Sequence, residues 1–338
     1  MTKKSAPAAA MFGLITGRWV SHLIFVAAKL ELPDLLKDGP RTVEDLATAA
    51  QVQAPMLYRV LRALASFGVF AETKGKRFKL TPLAATLQKA VPGSMRAVAL
   101  HHSFRYREDA WAQLLHGVKT GEVPFLKAHG ISYFEYLQKH PEEFALFSES
   151  MTSMSSTENR AIAAAYKFSG IRTLVDVGGG QGSLLAMLLQ ANQKLRGVLF
   201  DLPSDSTRSK QDRQLKAKGI RGRCTVATGD FFEAVPKGCD AYIIKRVLHD
   251  WDDEKCAKIL ANCRGAMNQK GRVLVVESVI PPGNGPDRGK LVDMQMLIIG
   301  GRERTREEFV SLFRKAGLKL TRIVPTKSPL SIVEGVPT

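Results

Sequence analysis

Residues 174–185 read LVDVGGGQGSLL, and the rest of the chain is parsed from this stretch. An acid, Asp176, stands in a short apolar run. Glycines follow at alternate positions, Gly178, Gly180 and Gly182, and a helix-forming segment, SLLAMLLQAN, begins at 183. Strand, glycine turn and helix in that order form a βα unit. Its bare backbone admits a ligand closely and points free N–H groups at it from the helix start. From 172 onward, short apolar runs alternate with helical segments: GVLFDLP, CTVATGD, DAYIIKRVL and GRVLVVESVI. That alternation predicts an α/β domain, a Rossmann-like, mostly parallel sheet with helices on both faces. The boundary with the preceding region falls at 165–172, around YKFSGIR.

Upstream, residues 14–66 read as helical throughout. TVEDLATAAQ (42–51) opens with a capping box, Thr42 with Asp45 three residues on. In APMLYRVLRALASFGVF, Leu57, Val60, Leu61 and Leu64 fall on one helical face, and Gly68 stops the helix. VFAETKGKRFKLTPLA then alternates around Lys74-Gly75, a hairpin signal. Helix, helix, hairpin is a winged-helix pattern. A helix that reads DNA needs polar side chains at base edges. This one offers mainly Tyr58, Arg59 and Arg62 among apolar neighbours. It reads as apolar nearly all round, so we expect it to be buried, in a dimer. Residues 84–165 read as further helices, punctuated at Pro92, Gly121, Pro124, Gly130 and Pro141. The expected organisation is 1–100, 101–168 and 169–338.

The chain has 338 residues, 45% of them apolar, and a formal charge of +17. The excess is scattered, with some density in 208–223, RSKQDRQLKAKGIRGR, and reads as a solvated helix face and loop. No apolar run approaches the ~18 residues needed to cross a bilayer, and MFGLITGRWVSHLIF is too broken for a signal-peptide core. The cysteines, Cys224, Cys239, Cys256 and Cys263, form no CxxC pair, so neither zinc nor disulfides are expected, and a reduced cytoplasm fits best.

Asp176 stands two residues before Gly178. An acid there repels the pyrophosphate that the nicotinamide turn GxGxxG cradles. It suits a ligand with positive charge, such as S-adenosylmethionine, which has an ammonium and a sulfonium and no phosphate. The second strand ends at Asp201, 19 residues after Gly182, where an acid would accept from ribose hydroxyls. The third runs into TGDFF, where Asp230 could take the adenine amino group and Phe231 its face. Each has a plain structural reading, a turn or a cap. The ordered set points to a nucleoside along one sheet edge. The fourth strand leads to HDWDDEKC. His249 is the only histidine after residue 168 and stands at a strand end. Asp250 and Asp252 read as caps of the next helix, and Trp251 as packing. Glu277 interrupts VLVVESVI, and an acid in such a run is costly to bury without a partner. Glu303, in GGRERT before a helix from Thr305, reads equally well as a solvated first-turn acid.

Taken together, LVDVGGGQG, FDLP, GDFF, HDWDDEKC, VVES and GGRERT, with TGEVPF and FSESM upstream, resemble the S-adenosylmethionine-dependent small-molecule O-methyltransferases. That group includes the plant caffeate type and bacterial natural-product enzymes, and the resemblance covers nearly the whole chain. It implies a class I methyltransferase domain at 169–338, a winged-helix-like dimerisation domain at 1–100 and a homodimer, with 101–168 contributing to the acceptor pocket. It implies that His249 is the general base, with Glu277 and Glu303 flanking it. Lys245, Gly178, Asp201, Asp230 and Phe231 fall at cofactor positions. Met151, Met154, Met294 and Met296 fall near the acceptor cavity, where methionine adapts to flat apolar ligands. DMQMLIIGGRERT is shorter than the plant pattern and looks like the bacterial branch. The expected acceptor is a small aromatic or polycyclic hydroxyl. A phenol with pKa ~10 and an imidazole with pKa ~6.5 are mismatched by about 5 kcal/mol, so the base must act during attack. No metal is expected, and neither nucleic acid nor membrane as partner. Two readings compete: an RNA methyltransferase, suggested by the charge but lacking an NPPY-type motif, and a winged-helix regulator that binds a nucleoside.

Overall fold

The computed structural model describes residues 6–203, 215 and 218–338. In chain order the helices are α1 (Pro7–Lys29), α2 (Leu32–Leu35), α3 (Val43–Ala50), α4 (Ala54–Ser66), α5 (Pro82–Ala85), α6 (Arg96–His102), α7 (Arg105–Ala112) and α8 (Leu114–Thr120). They continue with α9 (Pro124–His129), α10 (Tyr133–Lys139), α11 (Pro141–Ala165), α12 (Ser183–Ala191), α13 (Asp253–Ala266), α14 (Arg288–Ile299) and α15 (Arg306–Lys315). The first strands are β1 (Arg41–Thr42), β2 (Phe70–Thr73), β3 (Arg77–Leu80), β4 (Thr173–Val177), β5 (Arg196–Asp201) and β6 (Cys224–Thr228). The rest are β7 (Cys239–Lys245), β8 (Met267–Glu277), β9 (Val279–Ile280), β10 (Arg304–Thr305), β11 (Leu318–Pro325) and β12 (Ser331–Pro337). Packing divides the chain into two units, Met1–Asp109 with Phe134–Met154, and Ala110–Tyr133 with Ser155–Thr338.

In the first unit, the Thr42 hydroxyl accepts from the Asp45 amide and the Asp45 carboxylate accepts from the Thr42 amide, the expected capping box at the start of α3. β2 and β3 form the expected hairpin, and β1 pairs with β3 to give a three-stranded antiparallel wing. Leu46, Leu57, Leu61, Leu64, Phe70 and Phe78 build its core.

Three expectations change here. Residues 14–66 are not continuously helical: the chain breaks at Glu31, which is left-handed, and again through β1. α4 is not apolar all round. The 3.6-residue period buries Leu57, Leu61 and Leu64 on one face and leaves Arg59 and Arg62 exposed on the other, with Met56 and Phe67. And α1, 23 residues long with an 18-residue stretch of mean hydropathy 1.4, is long and apolar enough by length and composition to cross a bilayer. Its polar interruptions, Thr16, Arg18, Ser21 and His22, are too few to offset the apolar residues between them. Met11, Phe12, Leu14, Ile15 and Trp19 are exposed along it.

The second unit is a seven-stranded sheet in the order β11-β12-β8-β7-β4-β5-β6. β8, β7, β4, β5 and β6 are parallel; the inner strands β7 and β4 have the near-continuous apolar runs of strands covered on both faces, and β6 is a part-exposed edge. One face is packed by Tyr242, Ile259, Phe309 and Phe313, the other by Leu174, Leu185, Leu188 and Ile243. β12 and β11 add an antiparallel edge. Strand order reverses between β4 and β7, so the turns after these two strands open a crevice at the carboxyl end of the sheet, where ligands bind in this architecture. Of the basic stretch 208–223, residues 208–214 and 216–217 lie outside the described residues. Within the rest, the Arg223 guanidinium donates to the carbonyls of Asn192, Gln193 and Leu195, a structural tie at the end of α12.

Candidate active site

The glycine turn after β4 is pressed between its neighbours. Gly178 and Gly182 have φ of 68° and 78°, a region that favours glycine. A Cβ on Gly178 would stand 2.8 Å from the Val247 side chain, and one on Gly182 2.7 Å from Leu199. The Phe231 ring lies over Gly178, 3.9 Å from the same Cβ position. Beneath the turn, Asp176 is buried and its Oδ2 has no hydrogen-bond partner. Burial pushes its carboxyl up to about 7, with Lys245 pulling the other way. Asp201, at the end of β5, accepts from the Gly180 amide at 2.6 Å and from the Leu202 amide at 2.7 Å, so it fixes the turn. Asp230, just past β6, is exposed and accepts from the Phe232 amide. Lys245, the last residue of β7, donates to Ser155 and Asn159 and pairs with Glu158 at 3.0 Å. Glu158 also binds Arg246.

The residues of the turn fit S-adenosylmethionine. A buried carboxylate with an unsatisfied oxygen under a side-chain-free cradle suits a cationic nucleoside and opposes a phosphate.

Across the strand-order reversal, His249 sits in a 3-10 turn, Leu248–Asp250, after β7. It is buried. Its Nδ1 lies 2.9 Å from Glu303 Oε1, and its backbone N–H donates to Glu277 Oε1 at 2.9 Å. A carboxylate only accepts, so Nδ1 carries the hydrogen and, in the neutral ring, Nε2 is the acceptor. The Glu303 amide in turn donates to Asp293. Burial works against the imidazolium, but Asp250, Glu303 and Glu277 outweigh it, and the ring is pushed up to about 9. Burial likewise pushes Glu277 up to about 7, against the pull of His249.

The structure therefore brings His249, Glu277 and Glu303 together. Glu303 is buried and is not a solvated first-turn acid; Thr305 caps α15 with Glu308 instead. Asp252 caps α13, as expected. Asp250 does not: it is part of the 3-10 turn, with Oδ1 3.7 Å from His249 Nε2. Both acids look like caps in the sequence, and only the extra turn separates them. Trp251 packs edge-on against Phe232. Met151 and Met154 lie on α11 in the first unit, Met294 and Met296 on α14 in the second, all half-buried. Among the described residues no three His, Cys, Asp or Glu side chains group as metal ligands. Sequence reasoning missed Gly301, Arg302 and Arg304. The Arg302 amide donates to the His249 carbonyl at 2.7 Å, and a Cβ on Gly301 would collide with that carbonyl oxygen. The signal was the glycine pair directly before Arg-Glu-Arg.

Residues 111–319 match the model of an O-methyltransferase domain, and residues 12–90 that of an O-methyltransferase dimerisation domain. The phenazine O-methyltransferase PhzM of Lysobacter antibioticus is 45% identical, with 96% of this chain and 94% of that protein aligned. The mitomycin biosynthesis 6-O-methyltransferase of Streptomyces lavendulae is 39% identical over 95% and 92%. CalO1, a methyltransferase in calicheamicin biosynthesis solved in its SAH-bound form, superposes with a TM-score of 0.88 at 35% identity and covers 100% of both chains. The chain belongs to the S-adenosylmethionine-dependent O-methyltransferase family, whose members act on small natural-product molecules.

Proposed function

We propose that the protein methylates a hydroxyl of a small aromatic or polycyclic acceptor, with His249 as general base, and that it works as a homodimer. The observation that carries the reading is the buried Glu303–His249 bond, which leaves Nε2 to take a proton. Bound S-adenosylmethionine supplies a methyl group already activated on sulfonium. Gly178, Gly180 and Gly182 would let it approach, Asp176 would balance its charge, Asp201 and Asp230 would meet ribose and adenine, and Phe231 would cover the base. Lys245, whose charge acts on Asp176 through space, would hold the charge network at the strand end.

The base end does the proton work. His249 Nε2 receives the hydroxyl proton as the new oxygen–carbon bond forms and the carbon–sulfur bond breaks. Glu303 fixes the tautomer and stabilises the imidazolium. A ring pushed up to about 9 is a stronger base, but only its neutral form has Nε2 free, so turnover should rise with pH toward that value. Burial of the ring keeps water from competing for the methyl group. The names of the two relatives, a phenazine and a mitomycin enzyme, support a flat polycyclic acceptor, and the half-buried Met294 and Met296 suit one. The dimerisation-domain match supports the homodimer.

The test is a panel of phenolic and polycyclic hydroxyl compounds assayed with labelled methyl donor, using the wild type and His249→Ala. We expect at least one compound to be methylated, turnover to fall by roughly 10²–10⁴ in the variant, and donor affinity by calorimetry to stay within two-fold. Equal turnover in the two proteins would remove His249 from the reaction.

A further inference from the structure

Arg304 has no exposed surface, yet none of the steps above uses it. Its guanidinium spans the turn that carries His249. Nη1 donates to the Leu248 carbonyl at 3.2 Å and Nη2 to the Trp251 carbonyl at 3.0 Å, one on each side of the histidine. Nε and Nη2 both donate to Asp253 at the start of α13, at 3.0 and 2.8 Å. The Cys256 thiol adds a second donor to the Leu248 carbonyl.

We propose that Arg304 is a positioning residue, which clamps the main chain on both sides of His249 so that the imidazole keeps its line to the reacting oxygen. The proposal rests on the reading of His249 as the base.

Three observations argue for it. Taking a guanidinium fully out of water is costly, and an apolar side chain of similar volume would join two elements at least as well. A buried Arg makes sense where its planar fork meets several fixed acceptors at once, as it does here. Next, Arg304 does not act alone. Gly301 leaves no space beneath the His249 carbonyl, the Arg302 amide binds that carbonyl, and Glu303 binds Nδ1. Four consecutive residues therefore grip one turn from one side. Finally, Arg304 lies opposite Val279 in the β9–β10 ribbon, so the same ribbon anchors the segment that follows Glu277. Positioning of this kind matters because a displacement of about 1 Å at a reacting group can cost on the order of 10²-fold in rate.

The experiment is a double-mutant cycle with Arg304→Lys and His249→Ala. A lysine keeps the charge but is a point donor, and cannot reach both carbonyls and Asp253 together. We expect Arg304→Lys to lower kcat at least ten-fold, with acceptor KM and donor affinity within three-fold. In the His249→Ala background the same change should lower kcat by less than two-fold, because an effect that passes through the imidazole disappears with it. Should Arg304→Lys not fold, Arg304→Gln takes its place in the cycle. A kcat within two-fold of wild type, or an equal loss in both backgrounds, overturns the proposal. A separate readout keeps it apart from the base reading. Full turnover in His249→Ala overturns the base, whereas a His249 ring resonance that does not move in Arg304→Lys overturns the clamp.

Discussion

Val279 and Arg304 face each other across a two-stranded parallel ribbon, and this pairing sets Glu277 and Glu303 against the same histidine. Each glutamate lies just ahead of its strand, one on the chain leaving β8 and the other on the chain leaving α14. The ribbon is short, but it converts two distant acids into a single support. One holds the backbone of His249 and the other its ring.

The two acids should therefore differ in effect. Glu303→Gln removes the charge that fixes the tautomer, and we expect turnover to fall by roughly 10²-fold or more, as when a histidine base loses its orienting acid. The imidazole pKa, read by NMR, should move down from about 9. Glu277→Gln can still accept from the His249 amide and should cost less. A larger loss from Glu277→Gln would reverse the assignment.

Stability should fall as the solution becomes alkaline. The folded state holds the His249 proton up to about 9, above the usual 6.5, and the Glu277 proton up to about 7, above 4.5. In both cases the folded protein binds more protons than the unfolded chain, so each group stabilises below its unfolded pKa. Glu277 loses that contribution as pH rises from 4.5 to about 7, and His249 from 6.5 to about 9. Thermal melts across this window should show Tm falling as pH rises, because the two groups together lose up to several kcal/mol of stability. A rising Tm would contradict the sign.

The glycine turn should not tolerate a methyl group. Gly182→Ala places a Cβ against Leu199 in a backbone region that alanine disfavours. Donor affinity measured by calorimetry should weaken at least ten-fold, while the His249 ring resonance should stay in place. Unchanged affinity would mean that the ligand does not approach this turn.

The first unit should self-associate through α1. Ile15→Glu with Trp19→Glu puts charge on its exposed apolar face. Sedimentation should give a dimer for the wild type and a smaller species for the double variant. A wild-type monomer at micromolar concentration would end that reading.

Much of this was legible in the sequence. The runs TLVDV and AYIIK gave away buried parallel strands, because strands covered on both faces have no polar face to hide. The turn glycines announced themselves by the acid before them. Other features were invisible for physical reasons. An acid ahead of a helix reads as a cap whether or not it is buried, so Asp250 and Glu303 could not be told from Asp252 and Glu308. β11 has one buried position, Leu318, and otherwise mixes exposed and half-buried ones, so its residues carry no clean alternation. α4 reads as buried because apolar residues outnumber polar ones along it, while the structure turns Met56 and Phe67 outward.

Gly301 carries the last consequence. A Cβ there would meet the His249 carbonyl and the Asp250 Cα, and there is no room for anything larger than hydrogen. One extra methyl would tilt the proton acceptor without touching the donor cradle on the far side of the crevice. Gly301→Ala should thus yield a protein that still loads its donor and then does nothing with it. By such a single step, a lineage of these catalysts could become mere receptors for a nucleoside, and comparing donor uptake with product formation in that variant reads the difference directly.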